Sequence, residues 1–185
     1  MQHQTSPQVL ANKFSRKKLL DLLYKFMLAV GGSFLIAIAA QIVVPLFPVP
    51  VTLQTLAVLF IAITCGSRVG TAAVAIYILE GASGLPVFAG GTGLLAGPSC
   101  GYLFGFLLTA FVSGYLCEHG WKRNFFTVFL AGFVGLLFTY AMGLAVLSLY
   151  VGWHSAITLG VVPFILAAIL KLIFLATVIS SLRKN

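Results

Sequence analysis

Acidic residues are what this sequence lacks most: it holds 3 Asp and Glu in 185 residues. Charge of either sign is scarce, at 8% of the chain, whereas soluble domains carry about 25%. So few charged groups cannot cover a water-soluble fold of this size, and a 61% hydrophobic content excludes a disordered chain. The 11 Lys and Arg give a net charge of +8, but they are scattered between apolar blocks. A nucleic-acid interface needs a basic face or stripe, so that class is excluded. The 3 cysteines show no metal-binding spacing and force no disulfide. No Gly-Lys-Ser/Thr follows the Gly-rich stretch, which excludes a phosphate loop. The titratable groups at depth are Lys171 and Glu80, with His119 and His154 in short connections. That set is too sparse for acid–base, nucleophilic or metal catalysis, so an enzyme is not expected.

What the sequence does have is long apolar runs. Roughly 20 apolar residues cross the hydrocarbon core as a helix. Six blocks qualify: 26–47, 51–66, the run after Arg68 up to Glu80, 100–117, Phe125–Val151 and 159–182. The runs are continuous and lack period-two alternation, which predicts helices rather than barrel strands. The expected fold is therefore an all-α integral membrane protein with six transmembrane helices.

Lys and Arg set its direction. They precede the first block (Lys13, Arg16, Lys17, Lys18, Lys25), separate the second from the third (Arg68), separate the fourth from the fifth (Lys122, Arg123) and follow the sixth (Arg183, Lys184). The connections 48–50, 81–99 and 152–155 contain none. Alternation of this kind predicts both termini on the cytoplasmic side; the membrane expected is a bacterial-type cytoplasmic (inner) one. Residues 1–25 divide into a tail, disordered through residue 12, and an amphipathic helix over 13–26 whose basic side meets anionic lipid. Residues 26–185 form the membrane domain.

Four segments differ from ordinary membrane filler. Pro45-Leu-Phe-Pro-Val-Pro-Val-Thr-Leu-Gln54 is stiffened by its prolines and offers Thr52 and Gln54 near its end. The Gly/Pro-rich run 81–98 is apolar enough for membrane depth, where non-helical backbone must be buried or line a cavity. Gly101-Tyr102-Leu-Phe-Gly105-Phe106 places aromatics at the outer end of the fourth block. In Pro163-Phe-Ile-Leu-Ala-Ala168-Ile-Leu-Lys171, the lysine lies about 12 Å inside a helix starting at the proline. A lysine there costs roughly 2.5–3.5 kcal/mol, which points to a charge kept to receive an anion. Glu80, about 16 Å along the third helix, is the expected partner of Lys171 or a second wall of the same polar cavity.

Val49-Pro-Val-Thr-Leu-Gln-Thr-Leu56, Gly84-Leu-Pro-Val-Phe-Ala-Gly-Gly91, Gly97-Pro98 and Gly101-Tyr-Leu-Phe-Gly-Phe106 resemble the BioY family in order and spacing. That family comprises the biotin-specific S components of energy-coupling-factor transporters. The resemblance implies a six-helix S-component fold that captures biotin as transported substrate, not cofactor, at the outer face. It places Thr52, Gln54, Phe88, Gly90, Gly91 and Tyr102 around the ligand and Lys171 on the valerate carboxylate, with no metal. It also implies a transmembrane coupling subunit and two ATPase subunits as partners, with the first helix as the contact face through Ala29, Ser33 and Ala37. Some family members work alone. The family usually writes Pro-Phe-x-Pro-Gly-Asp-x-x-Lys where this chain has Leu166, Ala167 and Ala168. The acid that would neutralise Lys171 is thus missing, and Glu80 is the candidate to replace it. A carrier or exporter of another small carboxylate or vitamin, or a membrane assembly factor, is the alternative reading.

Overall fold

A computed structural model describes residues 7–91, 97–119 and 124–182, with side chains from residue 16 onward. Lys122, Arg123, Arg183, Lys184, the Lys13 side chain and residues 92–96 of the Gly-rich run lie outside the described residues. The first element, α1 (Pro7–Gln41), is one helix of 35 residues. Residues 7–12, expected in the disordered tail, are helical, and the amphipathic helix expected over 13–26 runs without interruption into the first apolar block; residues 1–6 lie outside the described residues. The reason is local: between Pro7 and Gly31 the chain offers no Gly or Pro, and its Leu, Lys, Phe and Ala residues all continue a helix.

The proline-rich connection folds back as a short hairpin. Val43–Val44 (β1) pairs antiparallel with Val51–Thr52 (β2), in register Val43↔Thr52 and Val44↔Val51. The hairpin closes further through Leu53 N–H to the Ile42 carbonyl, 3.1 Å. The fixed shape expected of this loop comes from both its prolines and this pairing.

Helices α2 (Gln54–Cys65) and α3 (Ser67–Ala82) are separated by one residue, Gly66, at φ +96. Only glycine adopts that conformation cheaply. A Cβ there would also collide with the Glu118 carboxylate. Glu118 Oε1 accepts from the Ser67 backbone N–H (2.9 Å), and Oε2 accepts from its hydroxyl (2.6 Å). A carboxylate at a helix N-terminus satisfies orphan donors and opposes the positive end of the helix dipole. Glu118, far along the chain, thereby fastens the α2–α3 turn.

Helix α4 (Cys100–Glu118) packs most extensively on α5 (Phe125–Val151). The connection expected at 152–155 is shorter than that: Gly152 turns the chain into α6 (Trp153–Gly160), and α7 (Val162–Leu182) follows. Among the described residues, four stretches are long and apolar enough to cross a membrane: Arg16–Gln41, Cys100–Glu118, Phe125–Val151 and Trp153–Leu182. Each of the six expected blocks contains a helix, but residues 42–47 of the first and 51–53 of the second belong to the hairpin. Helix α2 has 12 residues and α3 has 16, or about 18 and 24 Å, short of a hydrocarbon core about 30 Å thick. Among the described residues, three apolar clusters hold the elements together: one among α1, α2, α3 and α4, a second among α2, α4, α5 and α7, and a smaller one joining Val49 of the hairpin to α4, α5 and α6.

Candidate functional site

The elements that the sequence marks as unusual converge on one cavity of about 220 Å³. The hairpin and the start of α2 supply Pro48, Pro50, Thr52, Gln54 and Thr55. The turn after α3 adds Phe88 and Ala89, while α4, α5 and α7 contribute Tyr102, Phe106, Thr139, Tyr140, Phe164 and Lys171. No single helix builds the site. Its shape depends on the hairpin lying across the helix ends.

Lys171 donates to the Thr52 carbonyl oxygen at 2.6 Å and to Thr55 Oγ1 at 3.1 Å. An ammonium group has three N–H donors, so one remains for a ligand. Among the described residues the sole ion pair is Asp21–Lys25, at 2.7 Å on the surface. Lys171 is therefore compensated by neutral oxygens alone.

The expected partner of Lys171 is elsewhere. Glu80 accepts from Ser33 Oγ at 2.8 and 2.9 Å and does not line the cavity. Its helix, α3, packs on α1, whereas α7 approaches across α2. The two charges consequently take neutral partners in different seams. Glu80 does not replace the acid missing at Ala168.

One wall is fixed by a directional chain of hydrogen bonds. Thr52 Oγ1 donates to Gln54 Oε1 (2.7 Å), and Gln54 Nε2 donates to the Tyr77 hydroxyl (2.6 Å). Tyr77 then donates to the Val87 carbonyl (3.2 Å) and meets the Phe88 ring edge-on, with centroids 5.3 Å apart. Gln54 is 4% exposed and Tyr77 fully buried, so this chain holds the α2 start and the Phe88 turn in one register. Tyr77 was not singled out from the sequence. The available signal was a tyrosine inside an apolar run, since a buried hydroxyl requires a partner.

The opposite wall is aromatic. Tyr102 donates its hydroxyl to the Gly160 carbonyl (2.9 Å) and stacks on Phe164 at 6.0 Å. Tyr140 meets the same Phe164 ring edge-on at 6.4 Å. Tyr102 lies across Gly143, where a Cβ would collide with its ring. With its hydroxyl already engaged, Tyr102 offers the cavity its ring. Thr55, Thr139 and Tyr140 also escaped sequence reasoning, because only the packing brings them to this space.

Two further groups of candidate residues lie outside this cavity. Gly90 and Gly91 are exposed at φ +73 and +71 and do not line the cavity. The turn that bends there carries Phe88 and Ala89 inward instead. Ala29 and Ser33 are 2% and 0% exposed, inside the seam between α1 and α3, and Ala37 packs partly against the same core. A Cβ on neighbouring Gly32 would sit 2.9 Å from that of Ala73. This stripe of small residues brings α1 close to α3 within the chain, leaving Ser33 fully covered and Ala29 nearly so.

A small cavity with a cation at one side, uncharged hydrogen-bonding groups beside it and aromatic rings opposite suits a small, partly apolar anion. Comparisons with known proteins agree with that chemistry. The profile of the BioY family matches residues 10–185. A biotin transporter BioY of Thermotoga maritima is 47% identical over 155 residues, covering 81% of this chain and 90% of the relative. A biotin transporter BioY2 of Lactococcus lactis subsp. cremoris is 36% identical over 159 residues, covering 82% and 85%. The crystal structure of the S-component for biotin from an ECF-type ABC transporter is similar with a TM-score of 0.76 at 26% identity. That alignment covers 89% of this chain and 93% of the other.

Proposed function

The chain belongs to the BioY family, and from that premise we propose that it binds biotin in this cavity and carries it into the cell. It is a transport component rather than an enzyme, and biotin is its substrate rather than a cofactor. The observation that carries the reading is the Lys171 ammonium, held by Thr52 and Thr55 in an aromatic-walled cavity with one donor unspent. That donor takes the valerate carboxylate. The apolar part of the ligand lies against Tyr102, Phe164 and Phe88, and the Thr52–Gln54 wall supplies polar contacts. With no acid at the lysine, an arriving carboxylate relieves an uncompensated buried charge, which favours loading by an anion.

The charge alternation of the sequence supports a six-span topology with both termini in the cytoplasm and the cavity opening outward. The short helices α2 and α3 cross in this arrangement by sharing their depth with the hairpin and with the turn carrying Phe88. Energy for release comes from a transmembrane coupling subunit with two ATPases, or the chain acts alone. In the coupled case the contact uses the outward residues of α1, such as Phe34 and Ile38, which are exposed, rather than Ala29 and Ser33.

Equilibrium biotin binding to the purified chain tests the site. Truncating one side of a buried charge pair costs about 2–5 kcal/mol, so Lys171→Ala loses at least roughly 30-fold in affinity. Biotin methyl ester suffers a similar loss on the unmodified chain and little further loss on the variant. Biotin binding that ignores Lys171→Ala refutes the carboxylate assignment.

A further inference from the structure

A second concave site lies away from the biotin cavity and shares no residue with it. It is a groove of about 600 Å³ between α1 and α3. Its floor is apolar, made by Leu22, Phe26 and Ala29 of α1 and by Val69, Ala72 and Ile76 of α3. Its rim carries Lys18, Lys25 and Arg68 together with Asp21. Asp21 is engaged by Lys25 at 2.7 Å, and among the described residues no carboxylate pairs with Lys18 or Arg68. One cation from each helix therefore faces the groove mouth uncompensated.

We propose that this groove binds one anionic phospholipid. The charged end and the apolar end are separated along both helices, by about 16 Å from Lys18 to Ala29 and about 12 Å from Arg68 to Ile76. A phosphate at the rim and an acyl chain along the floor match that separation. Basic pockets between helices at the cytoplasmic side are suited to anionic headgroups, and the Arg68 guanidinium can present two donors to one phosphate. Leu19 and Phe26, both exposed, line the groove, so its occupant arrives from the hydrocarbon phase. A protein helix seated here would have to bring its own acid to the rim.

The test is native mass spectrometry of the full chain, purified in detergent and offered phosphatidylglycerol or phosphatidylcholine of identical tails. Phosphatidylglycerol is retained preferentially, and Lys18→Gln and Arg68→Gln each reduce that preference roughly fivefold, with biotin affinity reporting that the fold persists. Ala72→Phe keeps the charges but fills the floor, so it also releases the lipid and serves if the charge variants do not fold. Equal retention of both lipids, or a preference indifferent to these variants, overturns the proposal. Displacement of the lipid by inorganic phosphate would indicate a soluble-anion site. A groove protected only when a second membrane subunit co-purifies would indicate a protein seat. Either result overturns the lipid assignment.

Discussion

Helix α5 takes part in two seams built on opposite principles. Against α4 it is closed: Gly101, Gly105, Thr109 and Ser113 recur every fourth residue on one helix, and Ala131, Gly135, Thr139 and Gly143 do so on the other. A Cβ at Gly105 would come within 2.6 Å of Thr139 Cα. The hydroxyls of this seam are all engaged. Thr109 donates to the Gly135 carbonyl (2.6 Å) and accepts from Thr139 (2.6 Å), while Ser113 donates to the Ala131 carbonyl (2.9 Å). Toward the hairpin and α7 the same helix is open. Tyr140, one residue after Thr139, faces a space that large side chains leave unfilled. Lipid tails are as apolar as side chains, so helices associate through close packing and hydrogen bonds rather than a hydrophobic drive. The closed seam supplies that association, and the open one is then free to keep a cation with an unspent donor.

Separate variants should pull the two seams apart. Lys171→Ala has the largest expected effect, about 2–5 kcal/mol on biotin binding. Its thermal midpoint in detergent should stay level or rise, because a desolvated charge is removed. A fall in both quantities would mean that Lys171 is structural. Gly105→Leu is the converse. Overpacking costs about 1–3 kcal/mol and occasionally more, and it should lower the midpoint and biotin binding together, since Thr139 also lines the cavity. Tyr77→Phe falls between them. It strands the Gln54 amide and the Val87 carbonyl, a penalty of about 1–3 kcal/mol. We expect a modest loss of stability with a roughly tenfold weaker affinity, as the Thr52–Gln54 wall loses its register. Biotin affinity equal to that of the parent would show that the chain of hydrogen bonds does not shape the site.

The closed seam is legible in the sequence as two helices, and the open one only through the family resemblance. Apolar runs gave α5 its bounds, Phe125–Val151, and brought α4 within one residue. The resemblance put Thr52, Gln54, Phe88, Tyr102 and Lys171 around one ligand, and all five line the same cavity. What failed were inferences from depth and from spacing alone. Glu80 and Lys171 lie at similar estimated depths, but depth carries no angle about the helix axis, and Glu80 turns to Ser33. The small residues of α1 have the spacing of an interface, but spacing does not say whether the partner is another chain or α3. Thr55 and Tyr140 were invisible for a related reason: each matters only because other elements close around it.

Thr109→Val should have the smallest effect, and it sharpens the contrast most. Valine nearly preserves the volume of threonine while deleting the hydroxyl shared by Thr139 and the Gly135 carbonyl. Interhelical hydrogen bonds of membrane proteins average about 0.6 kcal/mol, because the separated helices also find partners. If close packing of Gly101, Gly105 and Gly135 dominates the seam, Thr109→Val shifts the midpoint only slightly. Thr139 in turn keeps biotin affinity near that of the parent, because its backbone remains clamped by Gly105. A loss as large as that of Gly105→Leu would reverse the ranking and make hydroxyl pairing, rather than backbone approach, the source of the seam's rigidity. Midpoints of both variants measured in the same detergent decide between these accounts, and Thr109→Ser, which restores the hydroxyl without the methyl group, separates lost bonding from altered packing.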